Sequence, residues 1–206
     1  MGIRTAATPP ERSAGRGPVR ERILEEGSRL FYADGVRAVS ADKVIAAAGV
    51  SKVTFYRHFP TKDDLAVAYL EAIADEERAL LERLRTDHAG DPASTLAALA
   101  EALGSVAGSA QFRGCAFVNA GAEYADAAHP VRRVVADHRA RYAGFFADVA
   151  RDAGADDPQA VAAELMMLRD GAMVCGDVDD ARTVAPRLAS AFAAVLVAHR
   201  GTPADA

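Results

Sequence analysis

The chain has 206 residues, with 24 Lys and Arg against 29 Asp and Glu, two Cys, no Trp, 50% apolar residues and 26% charged. That length suffices for one or two domains that bury about 70% of the unfolded surface without disulfide or metal staples. The longest apolar run, 188–198, is far short of the ~20 residues of a membrane span, residues 1–20 hold no apolar leader core, and Cys115 and Cys175 stand apart from any Cys or His cluster. Secretion, membrane insertion, a disulfide framework and structural zinc are therefore not expected, and a reducing cytoplasm is.

In chain order, residues 1–17 combine Pro9, Pro10, Gly15 and Gly17 with little apolar content, and the expectation is a disordered tail. Pro18 at a first helical position and Ile23, Leu24, Leu30 and Phe31 near helical spacing predict a first helix over 18–34, stopped by Gly35. Ser40 caps a short second helix, 41–47, and Gly49 turns the chain. Ser51 caps a third, to about His58. Thr61 and Asp64 form a cap for a long fourth helix to about Thr86. Pro92 opens a fifth, 117–125 form a sixth, and Pro130 starts a seventh, to 153. Asp157-Pro158 opens an eighth, to about Cys175, and the last runs over about 184–199, with Thr183 as its cap so that Pro186 falls in the first turn. No strand pattern survives, so the fold class is all-α with about nine helices. Leu188, Ala191, Phe192 and Val195, with Leu165, Leu168 and Ala172, make apolar stripes on the last two helices, and a homodimer through these helices is expected.

Charge is divided along the chain. Residues 1–62 hold eleven basic and six acidic side chains, leaving thirteen and twenty-three for 63–206, so a basic head with net +5 precedes an acidic body with net -10. Such asymmetry points to a polyanion partner for the head. Two short helices joined by a tight turn form a helix-turn-helix, whose second helix fits the DNA major groove while the first crosses the backbone. Lys52, Thr54, Tyr56, Arg57 and His58 crowd donors onto that second helix, and the cap at Ser51 leaves free N–H groups for phosphate. The segment Gly49-Val50-Ser51-Lys52-Val53-Thr54-Phe55-Tyr56-Arg57-His58-Phe59-Pro60-Thr61-Lys62-Asp63-Asp64-Leu65, after Ile23-Leu24, Leu30-Phe31 and Gly35-Val36, resembles the TetR family of bacterial transcriptional repressors. Ile45 departs from the small Ala usual there. The resemblance covers about 19–70.

The resemblance implies a helix-turn-helix DNA-binding domain over 18–62 and a C-terminal helical bundle over 63–206 for ligand binding and dimerisation. It implies a repressor that binds a palindromic double-stranded DNA operator as a dimer and is released by a small-molecule effector. Carried onto this sequence, Ser51, Tyr56, His58 and Lys62 look like phosphate clamps, with Ser40 and Ala41 also at phosphate. Lys52, Val53, Thr54 and Arg57 look groove-facing, and Val50, Phe55, Phe59 and Leu65 look like core. Arg57 or Lys52 would pair with guanine, and the Val53 methyls would meet a thymine methyl. The tail arginines Arg4, Arg12 and Arg16 either enter a minor groove or are incidental.

In the body, Phe112, Phe117, Asn119, Glu123, His138, Tyr142, Phe145, Met166, Asp170 and Met173 are the candidate lining of an effector cavity, polar residues set among apolar ones. The alternative is a DNA-binding regulator with a solid helical body and no effector. No base accompanies Cys115, and His129, His138, Glu123 and Cys115 lack metal-ligand spacing, so an enzyme, a metal site and a cofactor are not expected.

Overall fold

The computed structural model describes residues 17–199. The expected tail, with Arg4, Arg12 and Arg16, lies outside the described residues except for Gly17. Among the described residues there are nine α-helices and no strand: α1 (Pro18–Asp34), α2 (Ala41–Ala48), α3 (Lys52–His58), α4 (Lys62–Asp87), α5 (Pro92–Ala107), α6 (Ala116–Glu123), α7 (Pro130–Asp152), α8 (Pro158–Val178) and α9 (Val184–Ala198).

The helix ends follow from local chemistry. Ser40 Oγ accepts from the Lys43 amide at 3.2 Å and Ser51 Oγ from the Thr54 amide at 3.1 Å, each satisfying an N–H that its helix cannot. Gly49 lies between these helices at φ 61, where a side chain is disfavoured. Thr61 and Asp64 exchange hydrogen bonds at the start of α4, the Thr61 amide donating to Asp64 at 2.9 Å and the Asp64 amide to Thr61 Oγ1 at 3.0 Å. Three elements differ from expectation. Helix α6 covers Ala116–Glu123 and stops two residues short of the expected 125. Helix α8 runs through Gly176 to Val178, because Gly176 faces Ala107 and Phe112 so closely that a Cβ would meet them at 2.7 and 2.9 Å; this glycine serves close packing, not termination. A 3₁₀ turn, Ala181–Thr183, precedes α9.

The described chain divides into two compact units, 17–76 with 115–138, and 77–114 with 139–199. The first comprises α1 to α3, the first half of α4, α6 and the start of α7. Its core includes Ile23, Phe31, Val44, Phe55, Phe59 and Leu65, all buried. Phe31 meets Tyr69 with ring centroids 6.0 Å apart, and Arg20 lies over the Phe59 ring at 4.6 Å. Val50, expected in this core, is half-buried, as is Ile45.

In the second unit α9 packs on α5 and α8. Leu165, Leu188 and Phe192, expected on a partner surface, are buried in this unit, with Phe192 edge-on to Phe146 at 5.8 Å. The apolar residues left outside are others: Met167, Val174 and Val178 on α8 and Val197 on α9, each more than half exposed. Ala191, Val195, Leu168 and Ala172 are half-buried. Consistent with that outward face, 181–198 is long and apolar enough by composition to span a membrane, with mean hydropathy 1.3 and only 22% of it buried. Helix α9 itself has fifteen residues, about 22 Å of rise against a hydrocarbon core of ~30 Å.

Arg169 is buried at the centre of this unit, its guanidinium 4.7 Å from the Tyr142 ring, 3.2 Å from Asp170 and 3.7 Å from Glu77. Burial, then the Glu77 charge, pushes the Tyr142 phenol well above its usual range, so it remains a neutral hydroxyl. Two outcomes follow. Phe55→Ala should lower unfolding stability by about 3–5 kcal/mol in denaturant titration, because it empties a core position. Arg169→Ala should cost about 3–5 kcal/mol, because it empties a buried site against Tyr142 and leaves the half-buried carboxylates of Glu77 and Asp170 without their shared cation.

Candidate nucleic-acid interface

Helix α3 buries one side and presents the other. Phe55 and, just past its end, Phe59 are four residues apart and point inward, with ring centroids 6.2 Å apart. At 100° per residue Val53 and Arg57 fall opposite these rings and Tyr56 on the flank, while Lys52 stands in the first turn; all four are exposed. Val53 is 79% exposed, an apolar side chain that its own unit gives no burial. Tyr56 stands edge-on to Phe55 at 5.1 Å, which fixes the direction of its hydroxyl.

The remaining expected DNA contacts are less uniform. Ser40 and Ser51 are exposed at the N-termini of α2 and α3, while Ala41, Thr54 and His58 are half-buried. Thr54 Oγ1 accepts from Ser51 Oγ at 2.9 Å, so its hydroxyl supports the cap. Lys52 Nζ is 3.2 Å from Asp42 on α2, and that hydrogen bond, followed by the Asp42 charge, raises the lysine further above its usual range. Both partners are exposed, so the pair is screened and easily exchanged for another anion. Lys62 differs in kind. Its ammonium donates to the carbonyls of Val36 at 2.8 Å and Val39 at 3.1 Å, so its protons hold the α1–α2 connection instead of pointing outward.

The candidate effector residues fall in both units. Phe117 and His138 are buried and stacked in the first, with ring centroids 3.5 Å apart, while Phe112, Tyr142, Phe145, Met166 and Met173 are buried in the second. Asn119 is exposed on α6 instead of facing an interior. Glu123 is turned toward the α1–α2 connection, where its carboxylate accepts from the amides of Val36 at 3.1 Å and Arg37 at 2.6 Å. Asp170 is at the edge of its cluster, bonded to Arg139 at 2.6 Å, and the polar residue inside is Arg169. Sequence reasoning missed Arg169 although the signal was present: it lies four residues from both Leu165 and Met173, on their inward stripe. It also missed Arg37, Asp63 and Tyr124. Tyr124 donates to Asp63 at 2.8 Å; burial, then that hydrogen bond, raises its phenol above the usual range and keeps it a donor.

A capped helix pair with one exposed basic, aromatic and apolar face on its second member defines a helix-turn-helix DNA-binding protein. The family profile for bacterial regulatory proteins of the tetR family matches residues 23–69. A crystal structure of a TetR-family transcriptional regulator from Streptomyces coelicolor superposes with TM-score 0.84 at 37% identity, covering 89% of this chain and 96% of that one. Among curated proteins, the transcriptional regulator TcmR of Streptomyces glaucescens is 31% identical over 36% of this chain and 37% of its own length. The transcriptional repressor DhaR of Mycobacterium sp. strain GP1 is 33% identical over 32% and 33%. The chain thus spans about a third of the length of the curated relatives it matches. The chain belongs to the TetR family of helix-turn-helix transcriptional regulators, and it is a regulator, not an enzyme.

Lys62→Met should lower the melting temperature by several degrees, because carbonyls of the α1–α2 connection lose their donor while the hydrocarbon stem is kept. Thermal unfolding followed by circular dichroism checks this, and an unchanged midpoint would mean that the connection holds itself.

Proposed function

We propose that this protein is a cytoplasmic, ligand-responsive repressor that binds a pseudo-palindromic operator as a homodimer and is released by a small molecule. The observation that carries this reading is the outward face of α3: Lys52, Val53, Tyr56 and Arg57 are exposed together on a helix fixed from behind by Phe55 and Phe59. Arg57 and Lys52 read guanine edges, Val53 meets a thymine methyl, Thr54 stands beside them in the groove, and Ser40, Ala41, Ser51, Tyr56 and His58 line the backbone. Lys62 acts mainly on the connection before α2 and reaches phosphate only by exchanging those carbonyls.

Dimerisation uses the outward faces of α8 and α9. Met167, Gly171, Val174 and Val178 follow one another at steps of four, three and four, and Ser190, Ala193, Ala194 and Val197 form the matching small-residue stripe. The buried residues Tyr142, Phe145, Met166 and Met173, with Arg169 among them, are the best-supported effector contacts. An effector bound there acts through α4, which supplies its first half to one unit and its second half to the other. A second reading, a solid body with no effector, is favoured by the ring cluster of Phe145, Phe146 and Phe192, whose successive centroids lie 5.6 and 5.8 Å apart.

Selection from random duplexes, at stated salt, tests the operator. Recovery of a two-fold repeated sequence is expected, with affinity falling steeply as salt rises. Arg57→Ala should cost about 1–3 kcal/mol and relax one base position in each half-site, and Lys52→Ala should likewise relax base preference instead of weakening all sequences alike. Val174→Glu on α8 should give a monomer in sedimentation at micromolar concentration. Recovery of no preferred sequence by the wild type would overturn the operator.

A further inference from the structure

Helix α6 ends at Glu123, and its last carbonyls need partners from outside the helix. Arg132 of α7 donates to the Gly121 carbonyl at 2.9 Å, and Arg37, from the connection between α1 and α2, donates to the Glu123 carbonyl at 3.0 Å. Both guanidinium groups sit where the helix dipole favours a cation. The Glu123 side chain runs the opposite way across the same contact. One oxygen accepts from the Val36 amide at 3.1 Å and the other from the Arg37 amide at 2.6 Å. Gly35, at φ 88, makes room: a Cβ there would meet the nearer carboxylate oxygen at 3.0 Å.

Lys62 grips the same stretch from its carbonyls. Residues 36–39 therefore have N–H groups on an anion from α6 and C=O groups on a cation from α4. The next residue is Ser40, the cap of α2. A second contact joins the same elements: Asp63, near the start of α4, accepts from Tyr124 and lies 3.2 Å from His129 Nε2, with the Tyr124 and His129 rings stacked at 4.3 Å.

We infer that Glu123 is a positioning residue for DNA binding: its carboxylate fixes the backbone at Val36 and Arg37 and through it the entry of α2. The end of α6 is then where the state of segment 115–138 reaches the helix-turn-helix. This rests on the operator reading above. It opposes what charge alone dictates, since removing an anion from a DNA-binding unit raises affinity for a polyanion. The clamp requires the reverse, because the freed connection must be ordered again whenever α2 docks.

The test uses the full-length protein and the duplex recovered by selection. Glu123→Gln keeps the shape but replaces one acceptor oxygen with an NH₂ group, and Glu123→Asp keeps the charge but falls one methylene short. Both should raise amide exchange at Val36 and Arg37 about tenfold and weaken operator binding about tenfold, with the salt slope unchanged because no phosphate contact is lost. Restricting the comparison to variants with wild-type circular dichroism at the assay temperature separates positioning from loss of fold. Tighter or unchanged binding by Glu123→Gln, unchanged binding by Glu123→Asp, or fast exchange of both amides in the wild type each overturn the inference. If the wild type selects no duplex, the operator reading fails by itself, and amide exchange alone still decides whether the clamp exists.

Discussion

A seven-residue helix is too short to be stable in water, since helix nucleation is costly and only about a dozen residues begin to repay it. The candidate reading head of this protein, α3, is such a helix and is held entirely from outside. Phe55 and Phe59 supply the hold by burying two rings, and the Ser51 cap supplies the N-terminal partner. Because the two rings fix the rotation of the helix about its axis, they also decide which residues face outward. The exposure of Val53, Tyr56 and Arg57 is a consequence of the burial of Phe55 and Phe59.

The same dependence continues one step back in the chain. Helix α2 is also short, and the connection before it has polar backbone groups that no helix satisfies. They are met by a lysine on one side and a glutamate on the other, groups brought from residues far along the chain. Charged partners make stronger hydrogen bonds than neutral ones, which suits a stretch with few apolar side chains to bury. The second unit applies the same chemistry in a drier setting. Its buried Arg169 is balanced by Tyr142, Glu77 and Asp170, so desolvation is compensated by an aromatic face and two anions.

Most of the helices were legible because their ends are encoded by neighbours. Pro18, Ser40, Gly49, Ser51, the Thr61–Asp64 pair, Pro92 and Pro158 act within four residues of themselves, and the observed boundaries follow them closely. The limits appeared where a residue answers to a distant partner. Helix α8 was expected to end at about Cys175, yet it continues through Gly176, where Ala107 and Phe112 press close. Leu188 and Phe192 read as a spare apolar stripe, but their unit consumes them and exposes Met167, Val174 and Val197. Glu123 reads as a polar group in an apolar wall, and it spends its oxygens on amides 86 and 87 residues away.

The sequence by itself therefore determined the all-α class, the positions of the helix-turn-helix and its anchoring rings, and the family. Each rests on local periodicity, capping or a contiguous motif, interactions whose partners lie a turn or two apart. Only the tertiary structure decided which polar residue of the 169–170 pair is buried, which face of α8 and α9 remains outside, and that Lys62 and Glu123 both close on the connection before α2. Those outcomes depend on contacts between segments distant in the chain. A side chain's pattern along one helix says which face is apolar, but not which neighbour arrives to cover it.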